Sequence, residues 1–399
     1  MKLGLNLGYQ TPWSTPADHL ALAQEAERLG VSVVWVAEAY GSDSPSMLAW
    51  IAGQTSRIDV GSAVMQIPAR TPAATAMTAA TIDTLSGGRF RLGLGVSGPQ
   101  VSEGWHGVRF DKPLARTREY VRIVRAALAR EVVTSDSDVY RLPLPDGPGK
   151  PLKLGFHPLR ADIPIYLAAV GPRNLELAGE IADGWLAVFF SPQHAQPQLD
   201  RIAAGRARVG KDLSGFDIVP TVPVVVGDDV AECADLVRWY AALYIGGMGS
   251  REQNFYNQLA VRMGFGDAAR QVQELYLAKR QQEAAAAVPL EFIDATSLIG
   301  PVDRIAGRMR EFAAAGVTTL SLTLFGLDRQ TSLAQLRAAV QAYRTAGFAP
   351  AGARAAAAEP PEPADRPAPT DRSEPPGRPE RDEPADRNGP AGTEQEAAR

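Results

Sequence analysis

The chain has 399 residues, 45% of them hydrophobic, a formal net charge of −4 and one cysteine, Cys233. That is enough apolar material for a large core, and a pI of about 5.7 excludes the basic face that a nucleic-acid binder needs. One thiol makes neither an intramolecular disulfide nor a cysteine zinc cluster, no run approaches the ~18 apolar residues of a membrane span, and MKLGLNLGYQ lacks the apolar stretch of a signal peptide, so a reducing, cytoplasmic setting is expected.

LGLNL (3–7) reads as the first strand. From Pro16 to Leu29, the residues Leu20, Ala23, Ala26 and Leu29 recur at helical spacing, and Gly30 stands where a C-cap glycine belongs. His19 on this helix and His194 on a later one are expected at the surface. VVWVA (33–37) is the second strand; a helix over Ser44–Thr55 leads to DVGSAVM (59–65), the third. A helix over Ala73–Leu85 stops at Ser86-Gly87-Gly88, and FRLGLGV (90–96) is the fourth strand. IPIYLAAV (163–170), GWLAVFF (184–190), IVPTVPVVV (218–226) and VTTLSLTLF (317–325) bring the strands to eight.

This strand–helix rhythm predicts an α/β protein whose parallel strands are covered by outer helices and close into a TIM (β/α)8 barrel. The runner-up is a doubly wound sheet. That fold wants a Gly-x-Gly-x-x-Gly turn after its first strand, which Gly4-Leu5-Asn6-Leu7-Gly8 does not supply. Two insertions interrupt the repeat. Val132–Asp162 holds a strand pair near VVTSD and DVYRL; Gly246–Ser297 contains the helical run Ala268–Glu283. Both are expected to be lids or substrate walls. The barrel is expected over residues 1–348. Residues 349–399, rich in Pro, Arg and acid, read as a disordered tail, with a Pro-rich partner ligand as the alternative.

Several strand ends carry residues suited to chemistry. In Gly61-Ser62-Ala63-Val64-Met65, small side chains let a flat ring approach the backbone. Gly93-Leu94-Gly95-Val96-Ser97-Gly98-Pro99 brings N–H groups and a hydroxyl to the end of the fourth strand. At Ala168-Ala169-Val170-Gly171-Pro172-Arg173-Asn174 a strand ends and a helix begins with proline in its first turn, and such a helix start binds phosphate. Glu38 closes the second strand, where pairing with an arginine is the alternative to contacting a ligand. No His pair has metal spacing, and HExxH, Gly-x-Ser-x-Gly and Walker motifs are absent, so no metal is expected.

The run RIDVGSAVMQIPARTPAATAMTAATIDTLSGGRFRLGLGVSGPQVSEGWHG (57–107) resembles the luciferase-like monooxygenase superfamily, and most of all its deazaflavin (coenzyme F420)-dependent branch, which includes methylenetetrahydromethanopterin reductase and the F420 type of glucose-6-phosphate dehydrogenase. The resemblance covers about residues 1–347. It implies an oxidoreductase passing a hydride between F420 and a small organic substrate. Glu38, Ala63, Val64, Met65, Gln66, Ser97, Gly98 and Val101 would contact the coenzyme, with a cis non-proline peptide at Ala63–Val64 behind the ring. Val170, Gly171, Arg173 and Asn174 would hold its phosphate. Tyr9 and Trp105 would line the substrate pocket, and a homodimer is a family-based expectation. The sugar-phosphate enzymes carry a catalytic His where Ala39 stands, an acid at Gly98 and an Asn at Val101; these departures argue against sugar-phosphate oxidation. The catalytic group stays open between His106 and Glu38. Two alternatives accompany this reading: a monooxygenase using reduced FMN and oxygen, and a non-catalytic barrel that recruits a partner through its tail.

Overall fold

The computed structural model describes residues 1–9, 14–249, 254–326 and 328–350. The expected tail from 349 therefore lies, but for its first two residues, outside the described residues. The first half contains β1 (Lys2–Asn6), α1 (Pro16–Leu29), β2 (Val33–Val36), α2 (Ser44–Ala52), β3 (Asp59–Ser62), β4 (Met65–Gln66), α3 (Pro72–Leu85), β5 (Phe90–Gly95), α4 (Pro99–Gly104) and α5 (Pro113–Leu128). Next come the hairpin β6 (Ser135–Asp136) and β7 (Arg141–Leu142), then β8 (Ile165–Ala168), α6 (Pro172–Ile181), β9 (Gly184–Val188), α7 (Gln196–Arg208), β10 (Asp217–Val226) and α8 (Val230–Ala242). The second insertion folds as α9 (Phe255–Arg262), α10 (Gly266–Leu277), α11 (Gln281–Ala286) and α12 (Leu290–Thr296). It is followed by β11 (Leu298–Gly300), α13 (Val302–Ala314), β12 (Thr319–Leu324) and α14 (Arg329–Thr345).

Eight parallel strands close on themselves in the order β1-β2-β3-β5-β8-β9-β10-β12-β1. The long strand β10 makes closure possible. Its first half pairs with β9, Thr221–Val224 with β12, and its last three residues with the short β11. β11 escaped the sequence reading because three residues carry no periodicity. Among the described residues, no helix is long and apolar enough to cross a membrane.

Alternation along β2 divides the core in two. Val34 and Val36 join the shell between barrel and helices, whereas Val33 and Trp35 point inward with Tyr166, Leu186 and Val219. Trp35 meets Tyr166 edge to face, with centroids 5.2 Å apart. Glycine is required beside this ring: a Cβ on Gly61 would sit 2.4 Å from the Trp35 indole. At the N-terminal ends of the strands Arg91 plugs the barrel. It donates to Asp59 at 2.6 Å, to Asp217 at 3.2 Å and to the Tyr166 hydroxyl at 3.1 Å. The open end is therefore the C-terminal one, where barrel enzymes place their sites.

Three expectations are corrected. His19 is buried, 4% exposed, because His19, Ala23 and Ala26 share the inner stripe of α1. His194 is half-buried in the one-turn helix Pro192–His194 rather than on a long helix. The run Ala268–Glu283 breaks at Lys279, which adopts φ +61° between α10 and α11.

Candidate functional site

The third strand ends in a break. β3 stops at Ser62, the Ala63–Val64 peptide is cis, and pairing resumes at Met65 in β4, which runs beside β5. Ser62 anchors the break: its hydroxyl donates to the carbonyl of Gly93 at 2.8 Å and accepts from the Gly93 N–H at 2.9 Å. A Cβ on Gly95 would lie 2.6 Å from Val64 Cγ2, so Gly95 leaves the room that Val64 fills. Ala63, Val64 and Ala168 pack onto the inward cluster from above. Three short aliphatic side chains thus form an apolar floor at the ends of β3, β5 and β8. Met65 points the other way, fully buried in the barrel–helix shell, and leaves only its backbone for the site. Gln66 is buried and donates to the Ala39 carbonyl at 2.6 Å.

Glu38 sits above β2 with its side chain 8% exposed. One oxygen accepts from Arg70 at 2.6 Å, the other from the Ser44 N–H at the start of α2 at 3.2 Å. Arg70 also pairs with Asp43. The arginine pairing weighed for Glu38 is present. Beyond β5, Ser97 takes φ +61°, unusual for a residue with a side chain, and Gly98 begins the one-and-a-half turns of α4. The Val101 carbonyl accepts from the N–H groups of Trp105 and His106, both at 3.1 Å. His106 Nε2 is buried with no hydrogen-bond partner among the described residues. Trp105, expected in the substrate pocket, is 67% exposed.

Across the floor, β8 feeds α6. Gly171 is its N-cap at φ −77°, ψ 151°, and no side chain caps the helix. Asn174 Nδ2 reaches the Ala168 carbonyl at 3.5 Å. Arg173 is exposed on the first turn. From the second insertion, Arg262 of α9 donates to the Val170 carbonyl at 3.4 Å. It forms no ion pair among the described residues, and burial without a compensating anion pulls its pKa down. Sequence reasoning missed Arg262, because 92 residues separate it from Val170 and nothing local pairs them. The surface depression lined by Arg206, Lys211 and Asp212 precedes β10, at the opposite end of the barrel.

Residues 2–319 match the family model of the luciferase-like monooxygenases. The chain belongs to this family. Membership makes it an enzyme of the oxidoreductase class. It is 47% identical over 345 residues, 84% of this chain and 99% of the relative, to a Mycobacterium tuberculosis (strain ATCC 25618 / H37Rv) protein whose provisional name is coenzyme F420-dependent oxidoreductase. It is 31% identical to the 5,10-methylenetetrahydromethanopterin reductase of Archaeoglobus fulgidus, over 77% of this chain and 90% of that one. Among solved structures, the coenzyme F420-dependent tetrahydromethanopterin reductase from Methanopyrus kandleri superposes with a TM-score of 0.71 at 23% identity, covering 84% of this chain and 97% of that one.

Proposed function

We propose that this luciferase-like enzyme uses coenzyme F420, a deazaflavin, to move a hydride to or from a small organic substrate. The observation that carries the reading is the neighbourhood of an apolar floor and an uncapped, cationic helix start on hydrogen-bonded strands. The residues present fit a flat ring linked to a phosphate. Ala63, Val64 and Ala168 offer a ring face no obstruction. A Cβ on Gly171 would meet no atom within 4 Å, so the start of α6 is open. N–H groups there, with Arg173, Asn174 and Arg262 around Val170, suit a phosphate.

When bound, the deazaflavin supplies the carbon that gives or takes the hydride. The chain's own residues do the rest. Ala63 and Val64 would back the ring, and Ser97, Gly98 and Val101 would hold it by a hydroxyl, an N–H and an apolar side chain. Gln66 and Arg70 hold the loop after β2, with Glu38 placed by both its partners. Ala39 has no titratable group, so sugar-phosphate oxidation by a base at that position is ruled out of the reading. Side-by-side titration of the full chain with F420 and with FMN, followed by coenzyme fluorescence, tests it. Tighter F420 binding, weakened in Arg262→Ala, is expected. Preference for FMN, with oxygen uptake when the flavin is reduced, would replace the reading with the monooxygenase; binding of neither would point to the partner-recruiting barrel.

A further inference from the structure

Beside the apolar floor, residues 98–111 form a segment that is tied mainly to itself. α4 follows β5 directly, and the chain turns at Gly107, φ +67°, toward the start of α5. The Ser102 hydroxyl donates to the Val108 carbonyl at 2.7 Å, and the Val108 N–H donates back to the Ser102 carbonyl at 2.9 Å. The Phe110 N–H donates to Glu103 at 3.0 Å. Among the described residues, the hydrogen bonds of 98–110 all stay within the segment. Ties to its surroundings come only at its far end. Asp111 pairs with Arg116 at 2.7 Å, and Lys112 with Asp138 at 3.2 Å across an exposed gap. A unit bonded to itself more than to its neighbours moves as one body.

Both ends of the segment carry backbone angles that residues with side chains rarely adopt, φ +61° at Ser97 and φ +43° at Lys112. There the Cβ crowds the next carbonyl oxygen, and such outliers gather where a chain switches position. Nothing local demands the angle at Lys112, since its side chain does not cap α5. The underside is also unfilled. Ile67, Pro68, Val96, Ser102, Phe110 and Arg116 border a gap of about 10 Å³, room for about one water. Arg116 Nε and His106 Nε2 are buried without hydrogen-bond partners among the described residues, so the contact beneath the segment is incomplete. At the tip, Trp105 holds its indole 67% exposed. α4 is six residues long, which sets that tip roughly 9 Å from Ser97.

We propose that residues 98–111 are a flap, hinged at Ser97 and Lys112, which swings over the apolar floor when a flat ring lies there and covers it with Trp105. Two strained ends, a self-contained middle and an unfilled underside describe a body with a second resting place. A ligand moves such a body only by touching one position better than the other. The Trp105 indole supplies that difference, because closing takes its exposed face out of water and onto the bound ring. A closed flap excludes water from the site. That a ring occupies the floor rests on the coenzyme reading above; that the segment swings does not.

A distance across the mouth tests this. Trp239 of α8 is 56% exposed and packs 6.0 Å from Phe325, which follows β12, the strand opposite β5 in the ring of eight. Nitroxide labels are placed on the full chain through Gly104→Cys, where a Cβ meets nothing within 4 Å, and Trp239→Cys; the buried Cys233 takes none. Their separation is read by pulsed electron resonance, while coenzyme fluorescence reports F420 binding in the same samples. A turn of about 30° at the hinges should bring the labels roughly 5 Å closer when F420 binds. Adding Trp105→Ala should abolish the shift. Adding Lys112→Gly, which frees the hinge angle, should broaden the distances of the coenzyme-free chain toward the short side. Bound F420 with an unchanged separation would overturn the flap, and a shift that survives Trp105→Ala would overturn the part given to the indole. If F420 does not bind, the coenzyme reading falls and the Lys112→Gly comparison decides alone: broadened distances uphold the flap, and unchanged ones overturn it.

Discussion

Arg70 donates to Glu38 across 2.6 Å and so ties the loop after β4 to the end of β2. The same carboxylate receives the Ser44 N–H, and the same guanidinium reaches Asp43, the N-cap of α2. Removing Glu38 leaves Arg70 with one acid and an N–H without its acceptor. Glu38→Ala is expected to cost about 2 kcal/mol in urea unfolding, and Glu38→Gln, whose single amide oxygen can keep one of the two bonds, about half as much. If Glu38 also accepts from the coenzyme, F420 affinity falls about tenfold in Glu38→Ala, the equivalent of one bond in a desolvated slot. An unchanged affinity in that destabilised variant would confine Glu38 to holding the loop.

Gly171 separates binding from folding. Its backbone, φ −77° and ψ 151°, suits any residue, and a side chain there meets nothing within 4 Å. Gly171→Leu should change unfolding free energy by less than about 0.5 kcal/mol. The leucine would stand over the start of α6, where phosphate is proposed to sit, so F420 affinity should drop at least about tenfold. Intact folding with full affinity would move the phosphate elsewhere.

Much of this architecture was legible because it is local. The spacing of Leu20, Ala23, Ala26 and Leu29 and the Gly30 cap fix α1 to the residue, and the apolar run VVWVA marks β2. The break at Ala63–Val64 was legible only by resemblance, since no spacing of small residues demands it. What stayed hidden is tertiary. Arg262 meets Val170 only after the second insertion folds back across the strand ends. Likewise, His19 was misjudged because a titratable group was weighed by type instead of by its place on the stripe.

The floor predicts the reverse of the Gly171 result. A Cβ on Gly93 would sit 1.9 Å from the Ser62 carbonyl oxygen, which is backbone and cannot swing aside. β3 and β5 would have to part, and with them the Ser62–Gly93 hydrogen bonds at 2.8 and 2.9 Å. Gly93→Ala is therefore expected to cost more than about 3 kcal/mol, seen as lost soluble yield or an early thermal transition. A variant as stable as the parent would mean that the strands are less tightly joined than this contact requires.

Acid should loosen the seam where the barrel closes. α1 and α14 flank the β1–β12 pair, and two ion pairs join them, Asp18 with Arg329 and Glu25 with Arg337 at 2.6 Å. Asp18 is held down to about 2, first by the Thr15 N–H and hydroxyl of its capping box and then by Arg329. Glu25 is held down to about 2, chiefly by its hydrogen bond from Arg28, with Arg337 adding to it. Both folded values lie below the ordinary 3.8 and 4.5, so the fold favours the ionised forms. Their stabilisation is therefore complete above about pH 4.5 and drains away as pH falls toward 2. Since these side chains are largely at the surface, salt should shrink the effect. The double variant Arg329→Ala/Arg337→Ala isolates the cross-helix share. At neutral pH it should melt below the parent, and the gap should narrow as pH drops from 4.5 toward 2, because over that range the unfolded chain's carboxylates take up protons and the pairs' stabilisation is used up. A gap that stays constant over that range would show that the two arginines act by packing their stems on the helices and not through the carboxylates.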